Sequence, residues 1–432
     1  MKLCSSWGLY PKIACRRFEF EDTKELKKLL QKSDTFIAYG NGRSYGDCAL
    51  NYNIIDIKRD YFLGFDSDSG LLEVDAGVLL SKILEYFVPR GWFLGVTPGT
   101  KLITVGGAIA SDVHGKNHHI SGCFSQTLKE FTIMLPDGTI ESCSMESNPA
   151  LWRATCGGMG LTGVILKAKI YLKRINSIYI NQTTIKNRSL KETFEAFEEY
   201  SNSPYSVAWI DCLAKGDSMG RSLLMVGDFA DDNELGYTIK PQKEIPFNFP
   251  SFALNSWSVK AFNYLYYSRV KSRVSHQRVD IDTFFYPLDA IGKWNRIYGK
   301  DGFTQYQFIL PKEVSYEGLS EILNEISNSN KGSFLAVLKL YGKSNDNWLS
   351  FPMEGYSLAL DFKIQKGVFE LLDRLDKIVL KYNGRIYLTK DARVSKDVFE
   401  EGYPNIDRFR DFREEFGMSK KFQSLQSQRV GI

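Results

Sequence analysis

The segment Tyr39-Gly-Asn-Gly-Arg-Ser-Tyr-Gly-Asp47 follows Thr35–Tyr39, a short run typical of a β-strand. It contains three glycines within seven residues, so backbone N–H groups can approach and surround an anion without obstruction by Cβ atoms. The segment has neither the Gly-Lys-Ser/Thr of a Walker loop nor the GxGxxG dinucleotide pattern. Taken alone, it is consistent with either a phosphate cradle or a structural turn.

Two further segments favour the cradle. Thr97-Pro-Gly-Thr100 leads to Thr104-Val-Gly-Gly-Ala-Ile-Ala-Ser-Asp-Val-His-Gly115, where small residues occupy most of twelve positions, and Cys156-Gly-Gly-Met-Gly-Leu-Thr-Gly163 repeats the pattern. Side-chain volume is therefore missing along three stretches in the first 165 residues. This pattern predicts one large, flat, phosphorylated ligand lying against the backbone.

Length and charge limit the remaining possibilities. The chain has 432 residues, which at about 150 residues per domain indicates two to three domains. Lys and Arg total 55 against 51 Asp and Glu, and a formal charge of +4 is too small for a surface built to bind nucleic acid. Aromatic residues make up 14% of the chain, which suits a substrate with an apolar or planar part.

Cysteine usage and hydropathy bear on compartment and membrane contact. Seven scattered cysteines without CxxC pairs predict reduced cytosolic thiols, and no His/carboxylate spacing suggests a metal site. Neither a signal peptide nor a membrane span is expected. Residues Lys260–Arg278 interleave aromatic and basic side chains, a pattern that fits either a solvated helix or a segment at a lipid headgroup surface.

The chain changes character near residue 176. Short strands, helices and most glycine signals fill residues 1–175, whereas longer elements follow, including predicted strands at Ser206–Asp211 and Thr304–Leu310. A helix is predicted over Lys366–Tyr382, because its apolar residues recur with i, i+3, i+4 spacing up to Gly384. We therefore expect a second domain after the glycine-rich part.

In combination, GNGRSYGD, TPGT, TVGGAIASDVHGKNHH and CGGMGLTG resemble the flavoproteins of the vanillyl-alcohol oxidase/p-cresol methylhydroxylase superfamily. The likeness is strongest to its branch that oxidises polyprenyl-phosphoryl ribose, and it extends along most of the chain. The resemblance implies an α+β fold in which a two-part FAD-binding domain, residues 1–175 and 385–432, carries an inserted substrate domain, residues 176–384, built on an antiparallel sheet.

The resemblance also implies which residues hold FAD. In several relatives a histidine after the second glycine of the first loop bonds covalently to the flavin, whereas this chain has Arg43, so noncovalent FAD is expected. The expected cofactor-binding residues are Trp7, Gly40, Asn41, Gly42, Arg43, Ser44, Tyr45, Gly46, Asp47, Pro98, Gly99, Thr100, Thr104, Gly106, Gly107, Ser111, His114, Gly115, Asn117, Gly157, Gly158, Gly160, Gly163, Ile165 and Tyr387.

Three residues are candidates for catalysis. His114 matches a family histidine close to flavin and substrate, and a neutral imidazole there could position a sugar hydroxyl, accept its proton, or only tie loop backbone together. Lys390 matches a lysine beside the flavin, where it could take the hydroxyl proton or stabilise negative charge on the reduced cofactor. Tyr45 lies in the first loop. The sequence leaves these roles open.

The expected substrate-binding residues are Gln305, Gln307, Lys339 and Trp209. Gln305 and Gln307 alternate with aromatic residues on a strand, so both amides project from one face and could bind vicinal hydroxyls. Lys339 is a charge within an apolar strand and should face a ligand anion or water. Relatives of the ribose-oxidising branch carry a pocket cysteine where this chain has Ala359, so a thiol cannot be required for turnover and thiol-directed inhibitors should not trap this protein.

These features predict an FAD-dependent oxidoreductase that converts a secondary sugar hydroxyl to a ketone by hydride transfer to flavin N5. The resemblance implies C2′ of a polyprenyl-phosphoryl-β-D-ribose as the target, in the first half of an epimerisation completed by a short-chain reductase during cell-wall polysaccharide synthesis. A cytoplasmic enzyme with peripheral contact to the inner face of the plasma membrane fits this chemistry. The alternatives are an alditol or aldonolactone oxidase acting on a soluble sugar and a nonenzymatic FAD-binding protein.

Overall fold

The computed structural model describes residues 1–250 and 252–432. Its first sheet has four strands in the order β1-β2-β4-β3, with β1 and β2 antiparallel and β4 parallel to both β2 and β3. These strands are β1 Lys2–Cys4, β2 Ile13–Phe18, β3 Ile37–Tyr39 and β4 Asn53–Asp56. The GNGRSYGD segment begins directly after β3, as the sequence predicts.

The β1–β2 pair corrects the cysteine prediction. Its antiparallel register places Lys2 opposite Cys15 and Cys4 opposite Ile13, and a disulfide bond joins Cys4 to Cys15. The prediction that all seven cysteines are reduced is therefore wrong for these two. Strand pairing brings together two thiols that are eleven residues apart, a separation that matches no cysteine motif.

The second sheet is antiparallel and follows the order β5-β6-β10-β8-β9, with β7 also paired to β10. Its strands are β5 Phe62–Asp66, β6 Leu71–Asp75, β7 Trp92–Leu94, β8 Leu128–Met134, β9 Ile140–Cys143 and β10 Val164–Arg174.

The third sheet has eight antiparallel strands in the order β15-β11-β13-β12-β18-β19-β17-β20, and β14 and β16 form a separate parallel pair. The strands are β11 Tyr179–Asn187, β12 Tyr205–Ile210, β13 Ser222–Phe229, β14 Lys243–Glu244, β15 Val274–Asp280, β16 Ile291–Gly292, β17 Phe303–Pro311, β18 Ala336–Tyr341, β19 Gly355–Lys363 and β20 Arg385–Ile386. The predicted α+β class with an antiparallel sheet in the second half is confirmed.

The helices are α1 Thr23–Leu30, α2 Leu80–Phe87, α3 Val105–Ala110, α4 His118–Ser121, α5 Pro149–Thr155, α6 Leu190–Glu199, α7 Ser256–Ser268, α8 Ile281–Phe285, α9 Ser315–Ser329, α10 Val368–Lys381, α11 Lys396–Gly402, α12 Ile406–Glu415 and α13 Leu425–Val430. Helix α10 confirms the prediction over 366–382. Residues 260–278 do not form one helix, because α7 ends at Ser268 and 274–280 join the sheet edge as β15. In the part of the chain described, no helix could span a bilayer.

Alternation along the third sheet separates a packed face from a polar one. Side chains such as Leu358 and Phe308 belong to the hydrophobic cluster that includes Leu372 of α10. Their neighbours along the strands, among them Ser357 and Gln307, point to the opposite face because successive strand residues alternate. The packed face holds the helices and leaves the other face for a ligand.

The C-terminal residues return to the first sheet. The Phe36 amide donates to the Lys421 carbonyl at 2.8 Å, and the Leu425 amide donates to the Leu50 carbonyl at 2.8 Å. Strand β20, in contrast, pairs with β17 in the third sheet. The domain boundaries at 175/176 and 384/385 stay predictions.

Candidate active site

A cavity of about 940 Å³ lies between the polar face of the third sheet and the glycine-rich loops. This volume is near the upper end of the roughly 300–1,000 Å³ typical of small-molecule sites. Residues on all three glycine-rich segments line it, among them Gly42, Gly107 and Gly160. Three stretches far apart in sequence thus border one space.

The first loop presents a row of free backbone donors. The amides of Asn41, Gly42, Arg43 and Ser44 donate to no backbone carbonyl in the chain as described. Gly42 has φ of +61°, and a Cβ at this position would lie 2.1 Å from the Tyr39 hydroxyl, so only glycine fits. Successive unpaired N–H groups form an anion-binding concavity, which fits the phosphates of FAD.

The second loop comes close to the first at Gly40. A Cβ on Gly40 would lie 2.4 Å from the Thr104 Oγ1 atom, and that same oxygen accepts a hydrogen bond from the Gly107 amide at the start of α3. The Thr104 side chain thus caps the helix while leaving no room for a side chain at position 40. The small residues are required for this contact between the loops.

Lys390 and Tyr45 lie together at the junction of the first loop and the segment after β20. The Lys390 Nζ atom is 3.7 Å from the centroid of the Tyr45 ring, and the Tyr45 amide donates to the Thr389 carbonyl at 3.1 Å. Burial lowers the pKa of Lys390 to about 7, an effect opposed by the charge of Asp361. A substantial fraction of the amine is therefore neutral near pH 7.

His114 is buried in the same cavity. Its Nε2 atom lies 3.3 Å from the Gln307 Nε2 atom, and its Nδ1 atom is buried with no hydrogen-bond partner among the described residues. Burial, reinforced by Lys339 and other cationic neighbours, holds the pKa of His114 well below its usual range. The imidazole is neutral, and its buried Nδ1 atom is left without a hydrogen-bond partner.

Two more lysines line the cavity. Burial lowers the pKa of Lys339 to about 8 and that of Lys116 to about 7, and the charge of Lys339 contributes to the second shift. The Lys116 ammonium donates to the Phe284 carbonyl at 2.7 Å, and neither lysine forms an ion pair with a described carboxylate. Half-buried amines without carboxylate partners suit an anionic ligand.

Asp361, like Lys116, is a residue at this site that sequence reasoning missed. It is 1% exposed, and its carboxylate accepts hydrogen bonds from Gln305 at 2.6 Å and from Tyr298 at 3.2 Å. Burial raises its pKa to about 7. The alternation of Ser357, Ala359 and Asp361 along β19 is visible in the sequence and is the signal that could have identified it.

The structure brings together most of the predicted site residues. The predicted catalytic residues Lys390, His114 and Tyr45 and the predicted substrate residues Gln305, Gln307, Lys339 and Trp209 all line the cavity. So do the expected cofactor residues Trp7, Gly40, Asn41, Gly42, Arg43, Ser44, Pro98, Gly99, Thr100, Thr104, Gly106, Gly107, Ser111, Gly160, Gly163, Ile165 and Tyr387.

Six expected cofactor residues, in contrast, do not line the cavity and have structural contacts elsewhere. A Cβ on Gly46 would lie 1.7 Å from the Asp391 carbonyl oxygen, and one on Gly158 would lie 2.0 Å from that of Ala154. The remaining four pack or pair nearby: Asp47 with Arg429, Asn117 with the Gly95 carbonyl, Gly115 with Thr97, and Gly157 with Ser350.

A loop of unpaired amides facing a sheet that carries amides and amines is the arrangement expected of a flavoprotein of the vanillyl-alcohol oxidase/p-cresol methylhydroxylase class. Residues 18–144 match the family described as an FAD binding domain. The chain is 35% identical over 414 residues to decaprenylphosphoryl-beta-D-ribose oxidase of Mycolicibacterium smegmatis, covering 92% of this chain and 89% of that protein. It is also 21% identical to L-gulonolactone oxidase of Mus musculus over 98% and 96% of the two chains.

The chain therefore belongs to this flavoprotein family. It is an FAD-dependent oxidoreductase acting on CH–OH groups, as the sequence predicts. The residues present fit the cofactor, because the unpaired amides of Asn41–Ser44 can bind its phosphates and the glycines of α3 leave room beside them.

Proposed function

We propose that this enzyme oxidises C2′ of a polyprenyl-phosphoryl-β-D-ribose to a keto sugar, the first half of an epimerisation. The similarity to decaprenylphosphoryl-beta-D-ribose oxidase over most of both chains supports this substrate. The observation that carries the proposal is the position of Gln305, Gln307 and Lys339 on one sheet face, in the same cavity as Lys390 and His114. Hydroxyl-binding amides and amines that can hold a phosphate thus border one site.

In this proposal Lys390 takes the hydroxyl proton. Because burial lowers its pKa to about 7, the neutral amine that accepts a proton is available at physiological pH. FAD, when bound, supplies the acceptor for the hydride leaving the sugar carbon. Tyr45 supports the amine by packing its ring beside it.

His114 serves as a hydrogen-bond donor rather than the base. Its Nε2 atom is occupied when the Gln307 amide donates to it, so the proton of the neutral ring resides on Nδ1. That N–H group has no partner among the described residues, and because it is buried, its donation to a sugar oxygen requires the surrounding side chains to move. Its strongly lowered pKa makes it a poor proton acceptor near neutrality.

The amide of Gln305 is oriented by its neighbour. Asp361 accepts from the Gln305 amide nitrogen, which leaves the amide oxygen as the free acceptor for a hydroxyl. Lys339 and Lys116 provide positive charge for the phosphate that links sugar and lipid. Trp209 supplies an apolar surface in the cavity wall.

A soluble sugar is the second candidate substrate, because the chain also resembles L-gulonolactone oxidase along its whole length. An alditol or aldonolactone oxidase would need no lipid. A nonenzymatic FAD-binding protein would bind flavin without turnover. We further propose a short-chain reductase as the partner that completes the epimerisation, and peripheral membrane contact for access to a lipid-linked substrate.

The test is anaerobic reduction of the purified holoenzyme, followed by bleaching of the flavin absorbance. Detergent-dispersed polyprenyl-phosphoryl ribose, free alditols and aldonolactones are added separately. We expect rapid bleaching only with the lipid-linked sugar. Equal bleaching by free sugars would favour the soluble-sugar oxidase, and no bleaching by any sugar would favour the nonenzymatic alternative.

A further inference from the structure

Helix α7 exposes the face that a surface helix normally buries. Trp257, Tyr264 and Leu265 lie on one side of it, spaced at i, i+7 and i+8, and are 80%, 60% and 67% exposed. The opposite side holds Val259 and Asn263, which are buried. A helix of a water-facing surface presents its polar residues outward. The outer face of α7 is therefore apolar, with no partner in the part of the chain described.

The inner side of α7 is fixed to the protein by a polar contact. The Asn263 amide donates to the Asp211 carboxylate at 2.7 Å in a buried position, and the Asn255 side chain caps the helix start. The apolar patch continues to Phe252, which is 77% exposed and whose carbonyl accepts from Asn255. The orientation of α7 is thus set by hydrogen bonds, and the exposed aromatic face follows from it.

Positive charges without ion-pair partners lie on α7 and in the segment directly after it. Lys260, Arg269, Lys271 and Arg273 form no ion pair among residues 1–250 and 252–432, and α7 contains neither Asp nor Glu. Arg269 instead stacks on Tyr266, with its guanidinium carbon 3.8 Å from the ring centroid. Aromatic side chains flanked by Lys and Arg are typical of surfaces at lipid headgroups.

The active-site cavity extends to the same place. Its lining includes Tyr266, Arg269 and Lys271 as well as Lys390. From the Lys390 end to the α7 end, the cavity crosses the third sheet from β17 to β15. This path covers six strand-to-strand steps of about 4.8 Å each, or about 29 Å. Strands β12 and β13, in the middle of this path, contribute the apolar Val207, Trp209 and Met225, whereas β11, next to β15, contributes the polar Gln182 and Thr184.

We propose that the outer face of α7 docks on an anionic lipid bilayer, and that the cavity opens there to receive a lipid-linked substrate. This docking extends the proposed function, and the identification of the substrate as a lipid-linked sugar rests on that function. Two copies of the chain joined through this face would oppose like charges, whereas anionic headgroups complement all four cations. The apolar middle of the cavity suits the lipid portion near the sugar.

The experiment is co-sedimentation of the holoenzyme with vesicles, in the absence of any sugar. Vesicles of phosphatidylcholine with phosphatidylglycerol are compared with vesicles of phosphatidylcholine alone. We expect binding to the anionic vesicles that weakens with added salt. Removal of one cation should lower the affinity for anionic vesicles about five-fold, so the double variant Lys260→Gln, Arg273→Gln should bind them about 25-fold more weakly. The double variant Trp257→Ser, Leu265→Ser should lose at least about ten-fold.

Matched controls replace exposed residues of the same kind elsewhere. The double variant Tyr61→Ser, Leu63→Ser changes β5 and the residue directly before it, and the double variant Lys24→Gln, Lys28→Gln changes α1. Both should bind vesicles as the unmodified protein does, because neither changes α7. Unchanged binding by the α7 variants would overturn the proposal, as would absence of binding by the unmodified protein.

A second measurement tests the competing occupant. Self-association of the unmodified protein and of the double variant Trp257→Ser, Leu265→Ser is compared by sedimentation equilibrium, and we expect no difference between them. Self-association that is present in the unmodified protein and lost in the variant would assign the face to a second copy and overturn membrane docking. Flavin bleaching by detergent-dispersed substrate needs no bilayer. A failure of docking and a failure of the proposed reaction are therefore separate results.

Discussion

The Lys390 ammonium nitrogen lies 3.7 Å from the centroid of the Tyr45 ring, although 345 residues separate the two in the chain. The contact is held by a backbone hydrogen bond from the Tyr45 amide to the Thr389 carbonyl. It joins the loop with unpaired backbone amides to Lys390, whose pKa is also influenced by the charge of Asp361. The proposed cofactor cradle and the proposed proton acceptor therefore meet at one junction.

Lys390→Ala should slow flavin reduction by about 10²–10⁴-fold, because loss of a positioned base costs that much. In the unmodified enzyme the rate should rise with pH through about 7 and then level off, since the amine must be neutral to accept the proton. Stopped-flow reduction across pH measures both effects. The control is Lys377→Ala, which changes an exposed lysine on α10. If Lys390→Ala kept the rate and the pH dependence of the unmodified enzyme, Lys390 would be excluded as the base.

Asp361→Asn should shift that pH dependence toward acid. The carboxylate stabilises the Lys390 ammonium, so its removal lowers the pKa of Lys390 further and makes the neutral amine available at lower pH. The amide at position 361 can still accept from Gln305, so the fold should be retained. Reduction rates measured against pH test this, and a shift toward alkaline pH would contradict the proposed coupling.

FAD should dissociate completely when the protein is denatured by acid. Arg43 stands at the position of the linking histidine, and its guanidinium carbon lies 4.0 Å from the centroid of the Trp7 ring. An arginine side chain at this position does not form a covalent bond to the flavin. The measurement is flavin absorbance in the pellet and supernatant after acid precipitation, and yellow colour in the pellet would show a covalent link.

Ala359→Cys should create a reactive thiol where the native protein has none. All five free cysteines are buried, and burial raises the pKa of Cys48, Cys143 and Cys212 to about 12 and those of Cys123 and Cys156 well above their usual range, so their thiolate fraction is negligible. Mass spectrometry after brief iodoacetamide treatment should find the new cysteine modified and the native cysteines unmodified. Equal labelling of native and variant protein would contradict this expectation.

Arg429→Gln should destabilise the protein by about 3–5 kcal/mol, because removing one partner of a buried ion pair leaves uncompensated charge. Arg429 pairs with Asp47 at 2.7 Å and with Asp391 at 2.9 Å, and both carboxylates are nearly inaccessible. Thermal unfolding of the apoprotein should show a lower midpoint. The exposed Arg408→Gln is the control, and an equal midpoint for both variants would exclude a stabilising role for this cluster.

Much of this protein follows from the sequence alone. Glycine spacing after a strand predicts the cradle, because only residues without Cβ atoms allow the backbone to approach a phosphate. Gln305 and Gln307 are placed on one face by strand alternation, and the helix of residues 368–381 follows from its apolar spacing. These are local rules of backbone geometry and side-chain direction, which depend on neighbouring residues.

Only the tertiary structure decided the rest. The Cys4–Cys15 disulfide depends on strand pairing, the position of six predicted cofactor residues outside the cavity lining depends on loop packing, and the contact of Asp361 with Gln305 depends on the register of β19 against β17. The pKa of Lys390 and the exposed face of α7 depend on what surrounds them. Burial, register and charge environment are set by residues distant in the chain, so local pattern cannot determine them.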